Sequence, residues 1–145
     1  MTHADAGTGR TAMQKLCLVY FVVILGVASI NYLPVPGLVD EDGMAFGIFA
    51  LDVYDDALHL VSALWALVAG LWSHRAATVF GIVFGALYLL DGLFGIATGW
   101  GFLDLGILTN PSAGFSLSVP RVLANLPHIG LGGIALAFGL AGAQR

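Results

Sequence analysis

Four apolar stretches, Leu16–Leu33, Asp56–Trp72, Ala76–Ala97 and Val122–Ala141, constrain this chain more than anything else in it. A bilayer core about 30 Å thick takes roughly 20 helical residues at about 1.5 Å each, and these stretches approach or reach that length. With 59% hydrophobic residues, 10% charged residues and a mean hydropathy of +0.93, the chain lies far from soluble composition. The expectation is an all-α, multi-pass membrane protein: a four-helix transmembrane bundle, up-down-up-down, in one domain over residues 16–142. Residues 1–15 read as a flexible tail, and 34–55 and 98–121 as partly ordered apolar outer loops.

A formal charge of −4 with five Lys and Arg offers no footprint for nucleic acid. The single cysteine, Cys17, excludes an intrachain disulfide and a multi-cysteine metal centre. Arg10 and Lys15 before Leu16–Ile30 also fit a signal peptide, but the run continues to Pro34, so a retained helix is expected. His3 in the tail reads as solvated. With Arg10, Lys15, Arg75 and Arg145 on one side and only Arg121 on the other, the excess of positive charge places both termini in the cytoplasm.

Both long connections then lie outside. Pro34-Val35-Pro36-Gly37 opens the first, and its apolar part, Gly43–Leu51, is too short to span and reads as a lid or half-helix. The turn at Ser73-His74-Arg75 is minimal and makes helices two and three antiparallel neighbours.

A shift of 69 residues lays Asp56 on Asn125, His59 on His128, Ala63 on Gly132, Ala66 on Ala135 and Gly70 on Gly139. At 100° per residue each set falls within an arc of about 80°. Each is therefore a stripe of two polar positions and three small ones, with Trp65 and Trp72 on the other side of helix two. Small residues mark close helix approach in lipid, so the stripes face inward, and the chain reads as two parallel two-helix repeats. Gly81, Gly85 and Gly92 fit close packing too, either inside the chain or against another membrane protein or a second copy.

Asp91 is an acid inside an apolar helix, costly without a partner, which His59 or His128 would supply. Asn31 in helix one stands at a comparable height. Asn31, Asp56, His59, Asp91, Asn125 and His128 are thus the candidate polar cluster near the outer face, with Tyr32 and Tyr88 as hydrogen-bond partners. Asp56 and Asn125 also read as helix N-caps. A carboxylate and an imidazole three residues apart occupy adjacent turns, as in di-metal bundles, so Asp56, His59, Asp91 and His128 form a candidate set for a divalent metal. A haem would need only His59 and His128, with Gly130, Gly132 and Gly133 leaving room. No nucleophile motif, zinc-protease motif or phosphate loop is present.

Phe46-Gly47-Ile48-Phe49 followed by Asp55-Asp56-Ala57-Leu58-His59-Leu60, together with Asn125-Leu126-Pro127-His128, resembles a bacterial family of four-helix membrane proteins of unknown function. That family carries paired Asn-x-x-His motifs at the starts of helices two and four. The likeness runs from about Leu16 to Leu140 and departs at Asp55-Asp56, where the family has His-Asn, and at Ala124, where it tends to have an acid. It implies a bacterial inner-membrane protein with no assigned reaction. The expected function is that of a non-enzymatic accessory or scaffolding component without a cofactor. The alternative is a metal- or haem-binding redox or transport component that uses His59 and His128.

Overall fold

The computed structural model describes residues 9–144. Residues 1–8 of the expected tail, with His3, and Arg145 lie outside the described residues. Helix accounts for 69% of the structure. The helices are α1 (Ala12–Ser29), α2 (Val53–Trp72), α3 (His74–Thr98), the short α4 (Gly106–Thr109) and α5 (Val119–Gly142). A 3-10 turn, Ile30–Tyr32, extends α1. Three of the helical segments, Ala12–Tyr32, His74–Thr98 and Val119–Gly142, are long and apolar enough to cross a membrane. The 20-residue α2 carries Asp55, Asp56 and His59 in its first turns.

Every long helix starts two to four residues before its apolar run, and at α1, α2 and α3 a polar side-chain cap sets the start. Thr11 caps α1 in a reciprocal box with Gln14, so residues 12–15 belong to the helix and not to the tail. Asp52 and Asp55 make the same box at α2, and the Ser73 hydroxyl accepts from Ala76 at α3. A box satisfies two otherwise orphaned helix-terminal N–H groups at once. Asp56 is therefore not the N-cap of α2. Nor is Asn125 that of α5, which begins at Val119 behind Ser118 and contains Pro127 in its interior.

The helix ends alternate. His74 Nδ1 meets the Thr11 hydroxyl at 3.2 Å and its Nε2 meets the Gly142 carbonyl at 3.2 Å, so the starts of α1 and α3 and the end of α5 share one end of the molecule. Asn31 meets Asp56, and Asp91 meets His128, at the opposite end. Because the polar side chains gather there, it is the polar end.

Two tight helix pairs make the core, α1 with α2 and α3 with α5. In the second pair a Cβ added at Gly85 would strike the Leu136 backbone nitrogen, and one at Gly132 the Leu89 nitrogen. Gly81 faces the Ala135 carbonyl at 3.0 Å and Gly92 the Asn125 carbonyl at 3.0 Å, measured from the same added atom. The close approach of Gly81, Gly85 and Gly92 is thus intramolecular, and α5 already occupies the face considered for self-association. Gly70 plays the matching part in the first pair, with the Gln14 carbonyl 3.0 Å from its added Cβ.

Between the pairs runs a column of aromatic rings at four-residue spacing on α3, which puts them on one helix face. Phe80 stacks on Phe84 at 4.7 Å and Phe84 on Tyr88 at 4.0 Å, with Tyr20 and Trp65 set edge-on against them. Trp65 is consequently half-buried, whereas Trp72 is exposed. Val22, Val61, Leu71, Leu90, Ile134 and Phe138 remain on the outside.

The first long loop is not a half-helix. Met44–Ala45 (β1) and Phe49–Ala50 (β2) form an antiparallel hairpin, turned by Phe46 and Gly47 with positive φ of 54° and 67°. This small sheet departs from the all-α expectation. In the second loop, α3 stops at Gly99, whose φ of 104° suits glycine alone at a helix end.

Leucine at Gly85 or Gly132 should lower the thermal midpoint of the detergent-purified protein, since overpacking commonly costs about 1–3 kcal/mol and backbone cannot move aside as a side chain can. Leucine at Gly26, which has nothing within 4 Å of its added Cβ, should leave the midpoint nearly unchanged. Equal effects at all three positions would contradict the packing described.

Candidate functional site at the polar end

Asp91 is the most deeply buried charged side chain described, with 1% of its surface exposed. Its Oδ1 accepts the backbone N–H groups of Phe102 at 2.7 Å and Leu103 at 2.8 Å. Oδ2 accepts from His128 Nδ1 at 2.7 Å. Such charge-assisted bonds are shorter and stronger than neutral ones. Of the two candidate partners, His128 holds the carboxylate and His59 does not. The loop reaches Asp91 because residue 101 is glycine: a Cβ there would lie 2.8 and 2.9 Å from the two carboxylate oxygens.

A second knot forms where α1 ends. Asn31 Nδ2 donates to both Asp56 oxygens, at 3.3 and 3.1 Å, and to the Leu51 carbonyl at 3.0 Å, while the Tyr32 hydroxyl donates to Asp56 Oδ2 at 2.9 Å. Asn31 and Tyr32, expected near the cluster without assigned partners, both take Asp56. Asn125 joins neither knot. Its Nδ2 donates to the Arg121 carbonyl at 2.9 Å, and its side chain covers Gly95 of α3.

The two histidines lie between the knots. His59 Nδ1 sits 2.7 Å from the Asp55 carbonyl, an acceptor only, so this nitrogen carries the proton. His128 Nδ1 faces a carboxylate and carries its proton likewise. The ring centroids are 5.8 Å apart, with planes at 62°. Tyr88 touches both, at 4.8 Å from His128 and 6.5 Å from His59, and its hydroxyl bonds the Ser62 hydroxyl at 2.9 Å. Tyr88 thus pairs with Ser62 instead of a carboxylate. Ser62 and Gly101 escaped the sequence reading; their only signal there is placement, one turn beyond His59 and ten residues beyond Asp91.

The six expected cluster residues are therefore divided. Asp56 with Asn31 forms one knot, Asp91 with His128 another, His59 bridges them by ring contact, and Asn125 packs against glycine. Among the described residues no three His, Cys, Asp or Glu side chains converge as metal ligands. The set of Asp56, His59, Asp91 and His128 is not assembled, because both carboxylates already spend their oxygens on Asn31, Tyr32, His128 and loop amides. Gly132, expected to leave room for a macrocycle, is filled by the α3 backbone. Two open hollows, of about 380 and 470 Å³, lie elsewhere, the first beside Thr11, His74 and Gly142, the second beside Trp65, Trp72 and Arg75.

Every side-chain nitrogen or oxygen that is itself fully buried among the described residues has a hydrogen-bond partner. Comparison with family models, with curated proteins and with solved structures finds no match to this chain.

Asp91→Ala should free the Phe102 and Leu103 amides and expose the second loop, at about 1–3 kcal/mol for each buried group left unpaired. Hydrogen exchange read by mass spectrometry should speed up over residues 100–108 in Asp91→Ala and less in Asp91→Asn, whose amide oxygen still accepts. Unchanged exchange in the alanine variant would refute the clamp.

Proposed function

We propose that this chain is a multi-pass inner-membrane protein of bacterial type, a four-helix bundle that acts as a non-enzymatic accessory or scaffolding component. The observation that carries this reading is that both buried carboxylates, Asp56 and Asp91, are taken up by internal donors, Asn31 and Tyr32 for one and His128 and two loop amides for the other. Carboxylates that serve as an acid, a base or a nucleophile keep an oxygen free for the substrate, whereas these are spent on helix and loop contacts. Buried carboxylates and imidazoles in lipid hold helices together, at about 1 kcal/mol per contact.

Four long helices with alternating ends, three of them apolar enough to span, support the up-down-up-down membrane bundle. The exposed valine, leucine and phenylalanine side chains suit lipid contact. The repeat reading is supported by Ala63 with Gly132, Ala66 with Ala135 and Gly70 with Gly139, all buried, and by the matching pairs α1–α2 and α3–α5. Asp56 and Asn125 do not act alike, so the repeat is one of packing more than of chemistry. The resemblance to the bacterial four-helix family rests on the same two stretches and assigns no reaction. Arg10, Lys15 and Arg75 at the end opposite the polar end favour a cytoplasmic location for both termini.

The topology is checked by cysteine labelling in a Cys17→Ala background: Ser116→Cys should react with an impermeant maleimide in intact cells and Arg75→Cys only after lysis. The reversed pattern would overturn the orientation. The scaffold role is checked by introducing Asp91→Asn and Tyr88→Phe at the native locus and measuring membrane protein level beside the phenotype of the deletion. Phenotype should follow protein level; a variant present at wild-type level that still behaves as the deletion would point to chemistry at the cluster.

A further inference from the structure

We infer that His59 and His128 form a two-imidazole binding site for a first-row transition ion of the zinc and copper class, at the seam between the two helix pairs. The ligand atoms are the two Nε2 nitrogens. Each Nδ1–H is bonded to an acceptor, His59 to the Asp55 carbonyl and His128 to the Asp91 carboxylate, and this is how a ligating imidazole is held with its tautomer and ring orientation set. In the neutral rings Nε2 is then the lone-pair nitrogen. Neither Nε2 has a hydrogen bond to any described residue. His59 is only 7% exposed, yet no unpartnered side-chain nitrogen is fully buried, so what remains accessible of this ring includes Nε2.

The spacing fits one ion. A bound metal lies about 2.0–2.1 Å from each ring nitrogen. With about 1.1 Å more to each ring centroid, two imidazoles on one ion have centroids roughly 5 Å apart at the tetrahedral angle and about 6.3 Å apart when collinear. The observed 5.8 Å lies inside that interval. Imidazole nitrogen selects zinc, copper and nickel over calcium or magnesium. Asp56 and Asp104 carry negative charge near His59, and Asp55 near His128, which favours a cation without making them ligands, since among the described residues no third ligand converges. The rest of the coordination sphere is solvent. This site differs from the four-residue set expected from the sequence: Asp91 orients His128 through Nδ1 instead of binding metal, and Asp56, engaged by Asn31 and Tyr32, is not a ligand.

Zn2+ is the probe, titrated calorimetrically into the tag-free, detergent-purified full chain. The expected result is saturable one-to-one binding that Mg2+ does not reproduce. It should weaken at least about 10-fold in His59→Gln and in His128→Gln, and by about 10-fold in Asp91→Asn through loss of the second-sphere bond. His74→Ala should leave it unchanged. Carbethoxylation of the wild-type protein, read by mass spectrometry with and without Zn2+, needs no variant to fold, and Zn2+ should protect His59 and His128 selectively. Absence of saturable binding in wild type, protection confined to other histidines, or affinity unchanged in both His→Gln variants would each overturn the site.

Discussion

The polar end depends on one carboxylate. Asp91 stands on an otherwise apolar helix, where an unpaired charge is among the most expensive things a chain can bury. Its cost is offset by three donors, the Phe102 and Leu103 amides and His128 Nδ1. Each donor constrains a different part of the molecule. The amides draw the second loop down over the end of α3, and the imidazole fixes the rotation of α5. Glycine at position 101 is required because the loop backbone passes within contact distance of the carboxylate.

Close backbone approach does for the helices what Asp91 does for the loop. Gly81, Gly85 and Gly92 on α3 and Gly132 and Gly139 on α5 interlock so that an added Cβ would meet the opposing main chain, and dispersion between the closely approaching backbones holds the two helices together. α1 with α2 follows the same pattern on a smaller scale at Gly70. The two pairs then meet across rings instead of glycines, with Phe80, Phe84 and Tyr88 filling the wider gap. At the top of this column His59 and His128 face each other from different pairs. They are therefore the residues best placed to respond to a ligand that draws the pairs together.

The helices were legible because hydropathy over about 20 residues is a local property, and their starts moved by only a few residues when polar caps were taken into account. Asn31 was placed with the cluster by its height along helix one, though without its partner Asp56, and Asp91 was singled out because burial of an acid demands a donor. The loops were not legible. Gly43–Leu51 has the composition of a half-helix and folds as a hairpin, because positive φ at Phe46 and Gly47 is a turn signal that hydropathy does not register. Asp56 and Asn125 share a repeat position but have unlike partners: one meets Asn31 and Tyr32 across a helix pair, the other its own helix and a glycine.

From the amino-acid sequence alone came the helical class, the apolar segments, the inward stripes of small residues and the list of polar side chains in need of partners. These follow from composition and period, which each segment carries by itself. Which partner each polar group took was decided only by the tertiary structure, because hydrogen bonds depend on rotation and depth to within an ångström. Asp91 chose His128 over His59 since the glycines set α5 directly against α3, and the four side chains expected as metal ligands were divided between two knots and a ring contact for the same reason.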